Sequence, residues 1–304
     1  MASTLTQMRD AAQIARFHVV TAARTKSLLF VLAVYVVSST GIAWIFRNII
    51  HELEKNAANI LRVPVTDTPG AMIDTLREQG DLVDVFRGLV PDEALLDWVM
   101  AMPVLTVSHF WMSLGLLPFL AVGTGAEVIS PGIKDRSLRF ELVRTGRLEL
   151  VMGRLMGAAV VTAFGTLISI AGPWAVAVFF MANQPPVEQF TSLLLLTPRL
   201  IAWGLPFLGL GVAASQLTGN TNFARTIALG AAVGSWILWG TLESDWASET
   251  IPILVDILSP LMPQTYMVDL WGPGTGWMLS SAILTGLCLA FTLMVVPLFQ
   301  RRNL

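Results

Sequence analysis

A charged stretch, KDRSLRFELVRTGRLELVMGRLMG from Lys134 to Gly157, interrupts a chain that is otherwise strongly apolar. Six basic residues fall within it: Lys134, Arg136, Arg139, Arg144, Arg147 and Arg154. Long apolar runs flank the stretch on both sides, and 54% of the 304 residues are hydrophobic. This arrangement predicts a charged elbow at a membrane face, between two helices that cross the bilayer. We use the word elbow for residues 127–150.

The composition argues against an ordinary soluble protein. Only 13% of the residues are charged, whereas soluble globular proteins average about 25%. Several apolar runs reach 18 residues or more, the length that crosses a hydrocarbon core of about 30 Å. The one cysteine, Cys288, lies in such a run, so we expect no internal disulfide. The first apolar run is too long for the core of a signal peptide, and we expect it to be a span.

We predict an all-α integral membrane protein with six transmembrane helices in one domain, residues 1–304. In lipid each backbone polar group must be bonded within the protein, and the sequence lacks the alternating pattern of a membrane β-barrel. The predicted spans are Ser27–Phe46, Met102–Ala126, Val151–Met181, Leu193–Leu217, Thr226–Leu242 and Trp277–Phe299. Gly172-Pro173 predicts a kink or break in the third span.

Two more helical regions are predicted outside the spans. Residues 5–25 alternate apolar and basic positions at helical spacing, which is typical of an amphipathic helix lying at a membrane interface. Residues 47–101 continue the first helix beyond the bilayer and then form a small helical extracytoplasmic region. Asp92 and Glu93 would lie in the first turn of a helix there, where negative charge is favourable.

The basic residues predict that both termini are cytoplasmic. In this orientation the cytoplasmic segments carry 13 Lys and Arg against five acidic residues, and the outer segments carry six against 16. Cytoplasmic loops are enriched in Lys and Arg. Tryptophans near the predicted outer ends agree, because indole favours the headgroup region. These are Trp44, Trp98, Trp246, Trp271 and Trp277.

Residues 137–144 of the elbow are predicted to form one short helix. Thr145-Gly146 would end it, with Gly146 in the left-handed conformation common after helix C-termini. Two interpretations of the elbow's arginines remain open. They either orient the protein and meet lipid phosphate, or they form a docking surface. Glu141 and Glu149 would make such a surface mixed in sign and therefore more specific.

Three segments resemble the ABC-2 type permeases, the membrane subunits of type V ABC exporters. SLRFELVRTGRLELVMGRLMG, Ser137–Gly157, is similar to their first cytoplasmic loop. SQLTGNTNFARTIALG, Ser215–Gly230, resembles their polar turn between spans four and five. LSPLMPQTYMVDLW, Leu258–Trp271, resembles their Pro-containing outer segment before the last span. The chain departs from the family pattern where Ser137 replaces a glycine, Arg144 a proline and Arg154 a lysine, and its first outer loop is longer than in many members.

The resemblance implies a transport subunit that is not itself an enzyme. The elbow would be a coupling helix seated in a groove of a separate ATPase and would move as a lever for export or force transmission. The expected transmission surface is Glu127, Asp135, Arg136, Arg144, Arg147 and Glu149. The expected partners are two P-loop ATPase subunits, a second permease copy or homologue, and lipid of a cytoplasmic (inner) membrane, with no nucleic acid.

No cofactor is expected in this chain, and ATP and Mg²⁺ are expected in the partner ATPase. A P-loop needs a Gly-Lys pair ahead of Ser or Thr, whereas the three lysines here follow Thr25, Glu54 and Ile133. Two alternatives to a permease are a membrane scaffold or assembly protein that docks another partner and an ion-coupled secondary transporter. The second class usually carries acidic residues in mid-span, and no predicted span has one there.

Two ionisable residues within the spans are further candidates. His109 either contacts substrate or relays protons, or it bonds the backbone of a neighbouring helix. Arg199 either contacts substrate or extends to the membrane interface. No metal-binding pattern occurs. Two glycine pairs, Gly153-x-x-x-Gly157 and Gly230-x-x-x-Gly234, would allow helices to approach closely, within the bundle or between copies.

Overall fold

The computed structural model describes residues 2–22, 26–64, 67–79, 83, 87, 95–182 and 185–301. Within these ranges the regular structure is entirely helical. Six segments there are long and apolar enough to cross a membrane: Leu32–Leu61, Val104–Lys134, Arg147–Phe180, Pro186–Leu217, Thr221–Leu242 and Gly276–Gln300. The prediction of an all-α membrane protein with six spans is confirmed.

The helices are numbered in chain order. They are α1 Ala2–Ala22, α2 Lys26–Leu61, α3 Ile73–Gln79, α4 Leu96–Met100, α5 Val104–Ala126, α6 Ser130–Lys134, α7 Leu138–Leu142, α8 Arg147–Ser169, α9 Ala171–Phe180, α10 Pro186–Leu217, α11 Thr221–Leu242, α12 Asp245–Thr250, α13 Pro252–Leu258, α14 Met267–Trp271, α15 Gly276–Met294 and α16 Val296–Gln300. Two 3₁₀ turns, Ser259–Leu261 and Pro263–Tyr266, connect α13 to α14. The end of the bundle at residues 127–150 is the elbow end, and the opposite end is the far end.

The centre of the bundle is the contact of α10 with α5 on one side and α15 on the other. The backbones of α5 and α10 lie very close, because a Cβ added to Gly125 would be 2.9 Å from the Cα of Gly211. Small residues allow this approach and the dispersion contacts that come with it. Farther along, the buried Trp203 donates from Nε1 to the carbonyl oxygen of Leu114 at 2.9 Å. These contacts fix α5, which leads directly into the elbow.

The first span continues past its predicted boundary as one helix, as expected, and its far end carries a buried carboxylate. Glu54 accepts hydrogen bonds from the backbone N–H of Gly70, at 2.9 and 3.0 Å, and of Met72, at 2.7 Å. Gly70 has a φ of +100°, and a Cβ there would lie 2.6 Å from the carbonyl oxygen of Ala182. This position therefore requires glycine. The contacts tie the segment before α3 to α2 and to the end of α9.

Two segments at the far end connect the spans. The predicted extracytoplasmic region contains the helices α3 and α4. Asp92 and Glu93, which the sequence placed in a helix there, lie outside the described residues. Between α11 and α15 the chain folds back along the bundle. Gln264 there donates to the hydroxyl of Ser235 at 2.9 Å, about two turns before the end of α11. The segment before the last span is thus partly inserted among the helices.

The third span is broken close to the position that Gly172-Pro173 predicts. α8 ends at Ser169 and α9 begins at Ala171. Pro173 has no N–H with which to bond the carbonyl of Ser169 four residues earlier. That carbonyl accepts a hydrogen bond from the hydroxyl of Ser39 instead, at 2.9 Å. The break therefore creates a bond between the third span and the first.

The helix α1 packs against α8 at one of the predicted glycine pairs. A Cβ on Gly153 would lie 2.7 Å from the carbonyl oxygen of Ala11, and one on Gly157 would lie 2.9 Å from that of Ala15. The pair therefore brings two helices of the same chain together. The predicted helix at residues 5–25 is present in large part, and its location at a membrane interface stays a prediction.

Candidate functional site: the charged elbow

The elbow contains two short helices, α6 and α7, where the sequence predicted one. The helix predicted at residues 137–144 is shorter, Leu138–Leu142. Arg136 separates the two helices and has a left-handed backbone, with a φ of +57°. Leu138 is buried and anchors α7 to the bundle. Gly132 makes room for it, because a Cβ there would lie 2.9 Å from the Cγ of Leu138.

The predicted left-handed conformation of Gly146 is wrong. Its φ is −71° and its ψ is 161°, which is extended backbone, and it precedes the first turn of α8. The carboxylate of Glu149 folds back into the space that a Cβ of Gly146 would fill. Negative charge is favourable at that end of a helix because the first N–H groups lack helical partners. Glu149 thus lies where it stabilises the start of the third span.

Arg154 joins the elbow to α8. Its guanidinium donates to the carboxylate of Glu141 at 2.6 Å and to the carbonyl oxygen of Val128 at 2.6 Å. The ion pair is largely shielded from solvent on the arginine side. A planar guanidinium can donate to two separate acceptors in this way, which a single ammonium does with less fixed geometry. The arginine at this position therefore holds both halves of the elbow.

Two further contacts join the elbow to α11. Glu127, which follows α5, forms an ion pair with Arg225 of α11. Beside it, the hydroxyl of Ser130 on α6 lies 3.0 Å from that of Thr221, the first residue of α11. Asn220 caps the same helix, since its side chain accepts from the N–H groups of residues 222 and 223. The beginning of α11 is thus fixed against the elbow.

Arg147 joins the elbow to the last helix. Its guanidinium donates to the carbonyl oxygens of Phe299 and Gln300, the second at 2.7 Å. It also lies 5.6 Å from the centre of the Phe299 ring, within the range of a cation–π contact. Cations are favourable at a helix C-terminus, where carbonyl groups lack helical donors. Arg147 therefore stabilises the end of α16.

The tip of the elbow carries the exposed residues. Phe140 is 80% exposed and Val143 is 84% exposed. Of the six predicted transmission residues, Asp135, Arg136 and Arg144 are also exposed there. In the part of the chain that the structure describes, the guanidinium of Arg144 makes neither a hydrogen bond nor an ion pair, and only its backbone N–H is bonded, to the carbonyl oxygen of Glu141. The tip thus combines two exposed apolar side chains with exposed charged ones.

His109 lies in a buried polar cluster in the second turn of α5, away from the elbow. Its Nδ1 is 2.9 Å from the hydroxyl of Ser39, and its exposed fraction is 3%. The hydroxyl donates its single hydrogen to the carbonyl of Ser169. Nδ1 must therefore be the protonated ring nitrogen. Nε2 is left as an acceptor, and it has no hydrogen-bond partner in the described part of the chain. Tyr35 donates to Ser113 next to it, at 2.9 Å.

Arg199 is also buried within the protein, with 3% exposure. Its guanidinium donates to the carbonyl oxygens of Leu270, Trp271 and Gly272 at 3.0, 3.4 and 2.9 Å. It lies 5.2 Å from the centre of the Trp277 ring. These carbonyls belong to the end of α14, where a cation is favourable. Arg199 therefore anchors the segment that folds back before the last span.

The contacts of the elbow anchor it to the ends of α8, α11 and α16. No group of three or more His, Cys, Asp or Glu residues that could hold a metal ion occurs in the described ranges. The family model of the ABC-2 family transporter protein matches residues 12–304. The chain belongs to this family. No curated protein matches it. The ABC-2 protein is therefore a membrane-spanning transporter subunit, and its family implies association with ABC ATPases.

The sequence pointed to the elbow but missed the exposed apolar tip of this ABC-2 protein. Leu138 and Leu142 lie four residues apart and face the bundle. Side chains on the opposite face of α7 and just after it are therefore directed outward. Phe140 and Val143 occupy that opposite face. This helical spacing was the signal for the tip, whereas the predicted docking surface was based on charged residues.

Proposed function

We propose that this transporter subunit docks a separate P-loop ATPase through the tip of the elbow. The observation that carries the proposal is the exposure of Phe140 and Val143 next to Arg144, on a helix that is itself firmly attached. An apolar projection beside a cation is complementary to a groove with an apolar floor and an acidic rim. The exposed Asp135 and Arg136 extend the same surface.

The other three predicted residues have a different part in this proposal. Glu127, Arg147 and Glu149 connect the elbow to the spans: α11 through the first, α16 through the second and the start of α8 through the third. A displacement of the elbow by the ATPase would carry the ends of these helices with it, together with α5. The elbow would thus act as a lever whose tip binds and whose base transmits.

The proposed assembly has two copies of the permease and two ATPases, and ATP and Mg²⁺ are held by the ATPases. The elbow and both termini lie in the cytoplasm of a cell whose inner membrane holds the spans, and the work done is export or force transmission. A second copy would pack on α11. Gly230 and Gly234 are exposed there, and a Cβ on either would meet nothing within 4 Å. Such an open small-residue face suits a helix from another copy.

Co-purification tests the docking proposal. The protein is isolated from its own membranes in mild detergent, its partners are identified by mass spectrometry, and vanadate-sensitive ATP hydrolysis is measured. We expect a P-loop ATPase in stoichiometric amount. The double change Phe140→Ser, Arg144→Glu should remove it, whereas Arg62→Glu, an exposed arginine at the far end, should not. Retention of the ATPase by the double variant would refute the docking surface, and a different partner would favour a scaffold protein.

A further inference from the structure

A cavity of about 1000 Å³ lies between α1 and the elbow. One wall is the face of α1 that includes Asp10, Phe17 and His18, and the opposite wall is formed by α6, α7 and the residues after them. The cavity reaches Thr124 at the end of α5. Its volume is at the upper limit of small-molecule sites, which are about 300–1,000 Å³. Four residues of the proposed docking surface, Asp135, Phe140, Val143 and Arg144, lie at its rim, whereas the wall formed by α1 has no part in the docking proposal.

The cavity lies where the second and third spans meet the elbow, so a bilayer around the spans would place the headgroups of one leaflet beside it. Thr124 is in the last turn of α5, where the second span ends, and Arg154 lies about two turns from the start of α8. The polar elbow closes the cavity on the side away from the bilayer. On α1, Phe17 is 68% exposed at the cavity and Val20 beside it is also exposed. An occupant with apolar chains would therefore have an apolar exit.

Six charged side chains line the cavity, and three of them form ion pairs in the described part of the chain. Glu141 is bonded to Arg154, and Glu127 is bonded to Arg225. His18 is neutral at pH 7, because burial, followed by the nearby charge of Arg154, lowers its pKa to about 4. The charges left for an occupant are one guanidinium and two carboxylates. These belong to Arg144, Asp10 and Asp135.

We propose that this cavity binds one phospholipid whose headgroup carries a phosphate and a primary ammonium, as in phosphatidylethanolamine. Arg144, at the border of the docking surface, donates charge-assisted hydrogen bonds to the phosphate. Asp10 and Asp135 accept hydrogen bonds from the ammonium. A purely anionic headgroup leaves these carboxylates opposed to like charge. A choline headgroup has no N–H to donate to them. The acyl chains leave the cavity past Phe17.

The first test uses the unaltered protein without any ATPase. The chain is reconstituted in bilayers with equal parts of phosphatidylethanolamine, phosphatidylcholine and phosphatidylglycerol, extracted gently, and its bound lipids are counted by native mass spectrometry. We expect one retained phosphatidylethanolamine per chain. Soluble glycerophosphoethanolamine, which lacks the chains, should not displace it. Equal retention of the three lipids, preference for phosphatidylglycerol, or displacement by the soluble headgroup would each overturn the proposal.

The second test assigns the preference to the carboxylates. The double variant Asp10→Asn, Asp135→Asn should lower the preference for ethanolamine over choline by about tenfold, the effect of losing one charge-assisted hydrogen bond. Glu149→Gln, an elbow carboxylate outside the cavity, is the matched control and should keep the preference. An unchanged preference in the double variant would overturn the assignment. Because Asp135 also belongs to the docking surface, the lipid preference is measured without any ATPase, and ATPase association of the double variant is measured separately by co-purification.

Discussion

The hydroxyl of Ser39 and the imidazole of His109 are joined by a hydrogen bond of 2.9 Å inside the bundle. The same hydroxyl donates to the carbonyl of Ser169, which Pro173 leaves without its helical donor. One side chain thus links the first span to the second and to the third. The bond also answers a question raised by the sequence, since His109 contacts a neighbouring side chain and not a neighbouring backbone.

Removal of this hydroxyl should destabilise the protein. Ser39→Ala leaves two buried polar groups without a partner, the carbonyl of Ser169 and Nδ1 of His109, at a cost of about 1–3 kcal/mol each. We expect a lower midpoint of thermal unfolding in detergent, followed by tryptophan fluorescence. Ser248→Ala is the control, because that exposed hydroxyl bonds only to its own helix. Equal midpoints of unfolding for the two variants would show that the hydrogen bonds of Ser39 do not stabilise the bundle.

The packing of α1 should depend on the absence of a side chain at Gly153. A Cβ there would lie 2.7 Å from the backbone oxygen of Ala11, so Gly153→Ala must push α1 away. We expect faster tryptic cleavage in α1, at the exposed Arg16. The control is Gly286→Ala, where nothing lies within 4 Å and the helix gains about 1 kcal/mol from alanine. If both variants are cleaved like the parent protein, α1 does not depend on this contact.

The attachment of α1 should also depend on pH through His18. Burial lowers the pKa of this histidine to about 4, below its ordinary value of 6.5. Between these values the detached form binds more protons than the packed form, so acidification favours detachment. The contribution of neutral His18 to the attachment of α1 is complete above pH 6.5 and is lost as the pH falls towards 4. Arg154 contributes to the lowered pKa, and Asp10 and Glu141 also line the adjoining cavity.

Spin labels at exposed positions of α1 and α8, Arg16 and Met156, can measure this effect in a Cys288→Ala background. The distance distribution should broaden between pH 7 and pH 5. In His18→Gln, which does not titrate, it should be the same at both values. A His18→Gln variant that broadens like its parent would assign the pH dependence to another group.

Binding and transmission should separate at two arginines only three residues apart. Arg144 is exposed at the tip, whereas Arg147 is bonded to the carbonyls at the end of α16. Arg144→Glu should abolish co-purification of the ATPase. Arg147→Ala should retain the ATPase but lose the stimulation of its activity by the permease, because the last helix is no longer attached. Loss of the ATPase from both variants would show that the whole elbow is needed for binding.

The features that the sequence could predict are those with a local cause. The six spans follow from apolar runs, the break in the third span follows from Gly172-Pro173, and a close helix approach at Gly153 and Gly157 follows from their spacing, although its partner α1 does not. Each of these is decided by residues within one helical segment. Periodicity and composition detect such causes directly.

The features that the sequence did not predict depend on contacts with residues far away in the chain. Arg199 fits a membrane-interface residue when only its neighbours are considered, yet its bonds are to residues 270–272. Gly146 fits a helix end, yet it lies directly before α8, whose first residue, Arg147, is bonded to the distant carbonyl of Phe299. Tertiary contacts of this kind override local propensity, and no local pattern reports them.

The anchoring of Arg199 has a consequence for how the protein is made. Its carbonyl partners follow it by 71–73 residues, so a ribosome that adds about 5–20 residues per second delivers them roughly 4–14 s later. During that interval the fourth span carries a guanidinium without its carbonyl partners, and a charged side chain within a bilayer is costly, by up to about 2.5–3.5 kcal/mol at the centre. The fourth span therefore reaches its final environment only when the segment before the last span is made. A chain that stops short of Leu270 leaves this guanidinium without the three carbonyl groups that hold it.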